Sequence, residues 1–172
     1  MNWWEKDEGI PNMVDVESVE GFLGVLQAGE EKLVIVDFYA TWCGACRALF
    51  PKLCKLARDN DNLLIAKVNF DRNKPMCKSL GIRVLPFFHF YHGADGKVAE
   101  FSASVKKFHL IREAIANHGS EYCNLVANGT VDEIQKVFLE AHLMPGAEEA
   151  EAEAQRAGEP EGGRRAAAPT DR

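Results

Sequence analysis

Leu33-Val34-Ile35-Val36-Asp37-Phe38-Tyr39-Ala40-Thr41-Trp42-Cys43-Gly44-Ala45-Cys46 passes from one periodicity to another without a break. Residues 33–40 are short, β-branched and almost continuously apolar, which predicts a buried strand of a parallel or mixed sheet. From Cys46 onward, Leu49, Phe50, Leu53 and Leu56 recur at helical spacing. Cys43 and Cys46 therefore fall at the start of a helix, three residues apart on neighbouring faces and close enough to form a disulfide. A helix N-terminus also favours a thiolate on the first cysteine. These features predict a dithiol redox centre.

The chain's 172 residues suit one domain with extensions. An apolar content of 47% with 27% charged residues is ordinary for a globular protein. The net charge of −6 argues against nucleic acid or an anionic membrane surface as the main partner. Seven acids against four Arg in residues 147–172 carry half of that excess. No stretch approaches the roughly 20 apolar residues of a membrane span. Residues 1–8 lack both a signal-peptide core and the acid-poor character of a transit peptide. Either the protein is made where it works or a presequence precedes this segment.

Outward from the dithiol, Ser18 is expected to cap a first helix carrying Val19, Phe22, Leu23 and Leu26 inward, with Gly29 closing it. A strand at 63–70 follows, then a short helix begun by Asn73-Lys74-Pro75 and ended at Gly81. Next comes an aromatic strand from Leu85 to Tyr91 with Pro86 at its start. Gly93-Ala94-Asp95-Gly96 reads as a hairpin turn into a strand at 97–102. A helix from about Lys106 to Asn117 turns Phe108, Ile111, Ala114 and Ile115 inward. The order β-α-β-α-β-α-β-β-α implies an α/β domain with a mixed sheet covered on both faces. Beyond it, Thr130-Val131-Asp132-Glu133 is a capping box opening an amphipathic helix over 130–143, with Val131, Ile134, Phe138 and Ala141 on one face. Packing back on the domain is the favoured reading of that helix, and docking on a partner the alternative. The organisation expected is a Trp-containing leader (1–11), a domain (12–118), an extension (119–144) and a disordered tail (145–172).

Several blocks resemble the thioredoxin family. Asp37 precedes Cys43 by six residues, Pro51 follows Cys46 by five, Lys67 is mid-strand, and Leu85-Pro86 precedes a strand and a Gly-turn hairpin. The segments 41–55, 73–80 and 83–91, with Trp3-Trp4-Glu5-Lys6 and Pro11-Asn12-Met13, are similar to the atypical Cys/His-rich thioredoxins of plant and algal chloroplasts. The resemblance implies a thioredoxin fold and thiol–disulfide exchange with target proteins, with no bound cofactor. Cys43 would be the exposed nucleophile and Cys46 the buried resolving thiol. Asp37 would accept and return a proton, Lys67 would tune its charge, and Trp42 would cover the site. Gly44, Ala45, Leu85 and a cis Pro86 would meet substrate. A monomer is expected, in the chloroplast, acting on 2-Cys peroxiredoxins and plastid metabolic enzymes. A general cytosolic thioredoxin, or a client-binding module without turnover, is the alternative.

The residues themselves are consistent with these roles. Only a thiolate attacks a disulfide, and a second thiol must resolve the mixed disulfide. A carboxyl inside Ile35-Val36-Asp37-Phe38 is poorly solvated when charged, so its pKa should rise. Ala45 stands where ordinary thioredoxins have Pro and keeps an N–H able to bond a sulfur, which predicts a potential less reducing than about −270 mV. Such a potential would send electrons from reduced targets to a peroxiredoxin, switching light-activated enzymes off. Ser102-Ala103-Ser104 replaces a common Gly of the docking surface, which alters partner choice.

Cys43 and Cys46 as half of a zinc site would need two more ligands, and no second cysteine or histidine pair has the spacing. Cys54 and Cys77 read as small core residues before they read as auxiliary thiols, and Cys123 has still less claim. His89 and His92 point to opposite faces of a strand, and His109, His118 and His142 lack ligand spacing, so no metal is expected. Trp3 and Trp4 read as a cap on the domain.

Overall fold

A computed structural model of the chain describes residues 2–7, 9–29, 31–92, 96–119, 129–141 and 143. The elements are β1 (Met13–Val16), α1 (Val19–Ala28), β2 (Leu33–Tyr39), α2 (Gly44–Arg58), β3 (Leu63–Asn69) and α3 (Lys74–Ser79). They continue with β4 (Phe87–His92), β5 (Gly96–Ser102), α4 (Phe108–His118) and α5 (Gly129–Glu140), and Trp3–Glu5 forms a 3₁₀ turn ahead of β1. The sheet order is β1-β3-β2-β4-β5. β3 runs parallel to β1 and β2, whereas β4 is antiparallel to β2 and β5. This is the mixed sheet expected, and it is the thioredoxin fold.

β2 lies at the centre of the sheet, buried along its whole length, because it has a strand on each side and helices over both faces. Alternation along it divides the core. Ile35, with Ile65, Phe88 and Phe90, packs beneath Leu49, Phe50 and Leu53 of α2 and Ile111 of α4. Val34, Val36 and Phe38, with Ala66 and Val68, pack against Phe22 and Leu26 of α1, Met76 and Cys77 of α3, and Phe138 of α5. Period 2 puts Asp37 on the α2 side with Ile35, beneath the helix that carries the dithiol.

The sequence expectations hold locally with instructive exceptions. The Ser18 hydroxyl accepts from the Gly21 N–H at 3.0 Å, as a cap should. Gly29 closes α1 at φ −91°, so no left-handed turn requires it. It is required by packing, since a Cβ there would lie 2.1 Å from a Val34 methyl. Asn73 does not cap α3 with its side chain. Its amide donates instead to the Val16 and Asn69 carbonyls, joining the end of β1 to the end of β3. β4 starts at Phe87 rather than Leu85, because Pro86 has no N–H to give to the ladder.

α5 packs back on the domain, as favoured. Phe138 is wholly buried, its ring edge-on to Phe22 at 5.8 Å, and Ile134, Val137 and Leu143 pack against the same cluster. Ala141, expected on the buried face, is exposed, since the helix ends at Glu140. The turn residues 93–95, Cys123, the side chains of Thr130 and Val131, His142 and the segment 144–172 lie outside the described residues.

Candidate functional site

α2 begins at the dithiol. Cys43 is its N-cap, and the Cys46 amide donates to the Cys43 sulfur at 3.1 Å. The two sulfurs are joined in a disulfide, with Cα atoms 5.3 Å apart. The bond to sulfur thus comes from residue 46, not from the Ala45 N–H. Ala45 is an exposed residue of the first turn, where an amide has no intrahelical acceptor. When the disulfide is reduced, the helix N-terminus faces the Cys43 sulfur and favours its thiolate.

In the disulfide state Cys43 is 6% exposed and Cys46 3%. The expected contrast of open and shielded sulfur is therefore small here. Both cysteines share a cluster with Tyr39 and Ala40, against which Trp3, Trp4 and Leu85 pack. The partly buried rings packed on this cluster are those of the leader. Trp42 is 71% exposed, its indole N–H donating to the Asp71 carboxylate at 2.8 Å. Trp3 is held by its indole N–H on the Thr41 carbonyl at 3.1 Å and by edge contacts with Tyr39 and Phe50. The leader packs on the domain, as expected of a cap.

Asp37 is buried and its Oδ1 has no hydrogen-bond partner among the protein groups. Burial pushes its carboxyl up to about 7, against an opposing pull from the Lys67 charge. A carboxyl that titrates there can take and return a proton near neutrality. Lys67 is its neighbour on β3, in register across the parallel pair. The Lys67 ammonium is engaged elsewhere: with the Asp7 carboxylate at 2.6 Å, Asp15 at 3.1 Å and the Trp4 carbonyl at 3.1 Å. Burial pulls the Lys67 pKa down, but these acceptors outweigh it and hold the group above its ordinary value. Asp7 and Asp15 escaped the sequence reading. An acid at the third position of β1, level with Lys67 in the sheet, was the available signal for Asp15.

The Leu85-Pro86 peptide is cis. The Pro86 carbonyl accepts from the Ser102 hydroxyl at 2.8 Å, so Ser102 braces the loop before β4. Ala103 is fully buried, whereas Val84 and Val105 are among the large apolar side chains left exposed. Gly44 has open space where a Cβ would stand.

The other thiols and histidines are placed differently. Burial pushes Cys77 up to about 12 and raises Cys54 as well, so neither is an active nucleophile near neutrality. His89 is buried, with Nδ1 3.0 Å from the Tyr91 hydroxyl and Nε2 3.3 Å from Glu100. Burial first, and then the Lys97 charge, lower its pKa to about 4 against the opposing Glu100 carboxylate. Among the described residues, no cluster of three or more His, Cys, Asp or Glu side chains could hold a metal, and no helix is long and apolar enough to cross a membrane.

Comparison with known proteins accords with this site. The family model described as Thioredoxin matches residues 13–116. "Thioredoxin-like 2, chloroplastic" of rice (Oryza sativa subsp. japonica) is 54% identical over 123 residues, covering 72% of this chain and 56% of that protein. "Thioredoxin-like 2-2, chloroplastic" of Arabidopsis thaliana is 58% identical over 114 residues, covering 66% of this chain and 46% of that protein. The chain therefore spans about half the length of these curated relatives. Among solved structures, the short form of thioredoxin f from spinach chloroplast superposes with a TM-score of 0.56 at 31% identity, over 62% of this chain and 92% of that one. On its sheet, its dithiol and these matches, the chain belongs to the thioredoxin family.

Proposed function

We propose that the chain is a thiol–disulfide oxidoreductase acting on protein disulfides. The observation that carries this reading is the Cys43–Cys46 disulfide at the N-cap of α2. In the reducing direction, the Cys43 thiolate attacks one sulfur of a target disulfide, forming a mixed disulfide and expelling the first target thiolate. Asp37 takes the Cys46 proton, and the Cys46 sulfur attacks Cys43, expelling the second target thiolate. Two electrons pass to the target, and the Cys43–Cys46 disulfide forms. Every step reverses for oxidation. Gly44, Ala45, Leu85 and Pro86 form the surface on which an extended target segment lies, with Trp42 and Val84 as apolar contacts beside it.

The compartment is the chloroplast, by likeness to the relatives named above. The targets are plastid enzymes with regulatory disulfides, and a 2-Cys peroxiredoxin is the acceptor when the flow is oxidative. The protein acts as a monomer without a bound cofactor. Its domain runs over 12–118, with residues 1–11 as leader and 119–144 as an extension whose helix α5 packs on the domain.

A Cys46→Ser variant tests the reading. It should retain targets from a plastid extract as mixed disulfides on Cys43 that dithiothreitol releases. Cys43→Ser should trap none and lose reductase activity towards a disulfide-bonded test protein. Equal activity in the Cys43→Ser variant would point to a client-binding module and overturn the proposal.

A further inference from the structure

Three strands place Asp15, Lys67 and Asp37 side by side in one row, because β1, β3 and β2 are parallel and in register at these residues. The row faces α2. Neighbouring strands lie about 4.8 Å apart, so Lys67 has a carboxyl on each side and could serve either. It serves one. Its ammonium is bonded to Asp15 and, from outside the sheet, to the Asp7 carboxylate and the Trp4 carbonyl, while Asp37 Oδ1 is left without a partner. The two outer ligands come from the leader. Trp3 fixes that leader in place through the Thr41 carbonyl and the rings of Tyr39 and Phe50.

We propose that the segment Trp3–Asp7 is a positioning element for the redox centre, drawing the Lys67 ammonium towards β1 and away from Asp37. The inference rests on the role given to Asp37 above and adds a part of the chain that has none in the chemistry. Asp7 matters more than Asp15, because the Asp7 carboxylate is 20% exposed and the Asp15 carboxylate 55%; water screens the latter. With its charge matched by Asp7, Lys67 pulls less on the Asp37 proton, and Asp37 stays a protonatable group near neutrality.

The charged and titratable groups around the row come from every element packed on it: Asp7 from the leader, Asp15 from β1, Asp37 and Tyr39 from β2, Lys67 from β3, and Cys54 and Arg58 from α2, with the Cys43 and Cys46 thiols at its N-terminus once reduced. β4 contributes Phe88 beside Asp37 and no charge. Removing the Asp7 charge makes the surroundings more positive, which favours the Asp37 carboxylate. Its titration must therefore move down.

The test uses the full 172-residue chain, reduced, with the Asp37 carboxyl carbon followed by NMR across the pH range. Asp7→Asn should lower the Asp37 midpoint by about one unit or more, the size expected for one charge roughly two strand spacings (about 10 Å) away at an effective dielectric near 20, with the change in ammonium position added to it. Asp7→Glu should restore it, and Asp15→Asn should move it less. In a Lys67→Met background, Asp7→Asn should move it clearly less, since only the direct effect of the Asp7 charge remains and the share that passes through the ammonium is lost. Asp7→Ser, a smaller neutral acceptor, carries the same comparison if the amide variant does not fold. An unmoved midpoint, or an equal shift without Lys67, overturns the inference. The titration needs no turnover. An unmoved midpoint in an active enzyme counts against the leader alone, and a shift in a protein that exchanges no disulfides counts against the proposed function alone.

Discussion

At Asp37 a single carboxyl makes opposing demands on chemistry and stability. Its folded pKa, raised to about 7 from 3.8, means that the native state holds its proton more tightly than the unfolded chain. That contribution is complete below about pH 4 and is lost as pH rises towards 7, a total of about 4 kcal/mol for three units. Asp37→Asn should therefore stabilise the protein by up to about 4 kcal/mol at pH 8 and by much less at pH 4.5, while slowing the resolving step. Urea unfolding at the two pH values, set beside reductase assays, checks both halves. Ala45 makes a second demand legible. Its amide, free of helical bonding in the first turn, is available as a second donor to a Cys43 thiolate beside that of Cys46, and stabilising the thiolate stabilises the reduced form. A redox titration should give a potential above about −270 mV, and Ala45→Pro should lower it by about 30 mV, the worth of one charge-assisted hydrogen bond.

Among the elements, α5 shows how far a pattern reaches. The spacing of Ile134 and Phe138 announces an amphipathic helix but not the surface that receives it. The receiving surface exists only once α1 and the sheet are assembled, with Phe22 and Tyr91 edge to face and Phe138 closing over Phe22. Phe138→Ala should cost about 3–5 kcal/mol of stability by emptying a buried site. The dithiol potential should not change, because α5 lies across the sheet from α2. Denaturant unfolding and a redox titration of the same variant separate the two effects. The leader is the converse case. Its tryptophans were legible as a cap, but the role of Asp7 was not, because nothing local connects residue 7 with residue 67.

Over the whole molecule, two buried titratable groups oppose each other. His89 is held neutral with its pKa lowered from 6.5 to about 4, so the unfolded chain takes up a proton that the native state refuses. Its contribution is intact above pH 6.5 and is lost as pH falls towards 4, about 3 kcal/mol in all. Asp37 loses its contribution in the other direction over nearly the same range. Native stability should therefore vary little between pH 4 and 7, and Asp37→Asn should uncover a loss of about 3 kcal/mol on acidification through that window. Thermal unfolding of the two proteins at several pH values reads this directly. Steep acid sensitivity in the parent protein, or none in the variant, would contradict it.

The strands, the helices, the pairing of Cys43 with Cys46 and the burial of Asp37 were legible in the chain because each rests on periodicity or close spacing. Contacts between distant residues were not. That Lys67 bonds to Asp7 and Asp15 rather than to Asp37, that Trp3 packs on Tyr39 and Phe50 while Trp42 bonds to Asp71, and that Gly29 is needed for its lack of a Cβ are all tertiary facts. The physical reason is the range of the forces involved. Local backbone preference and hydrophobic period act within a few residues and leave their mark on the order of the letters. A buried charge instead chooses among the partners that folding brings within reach, and that choice is made only in three dimensions.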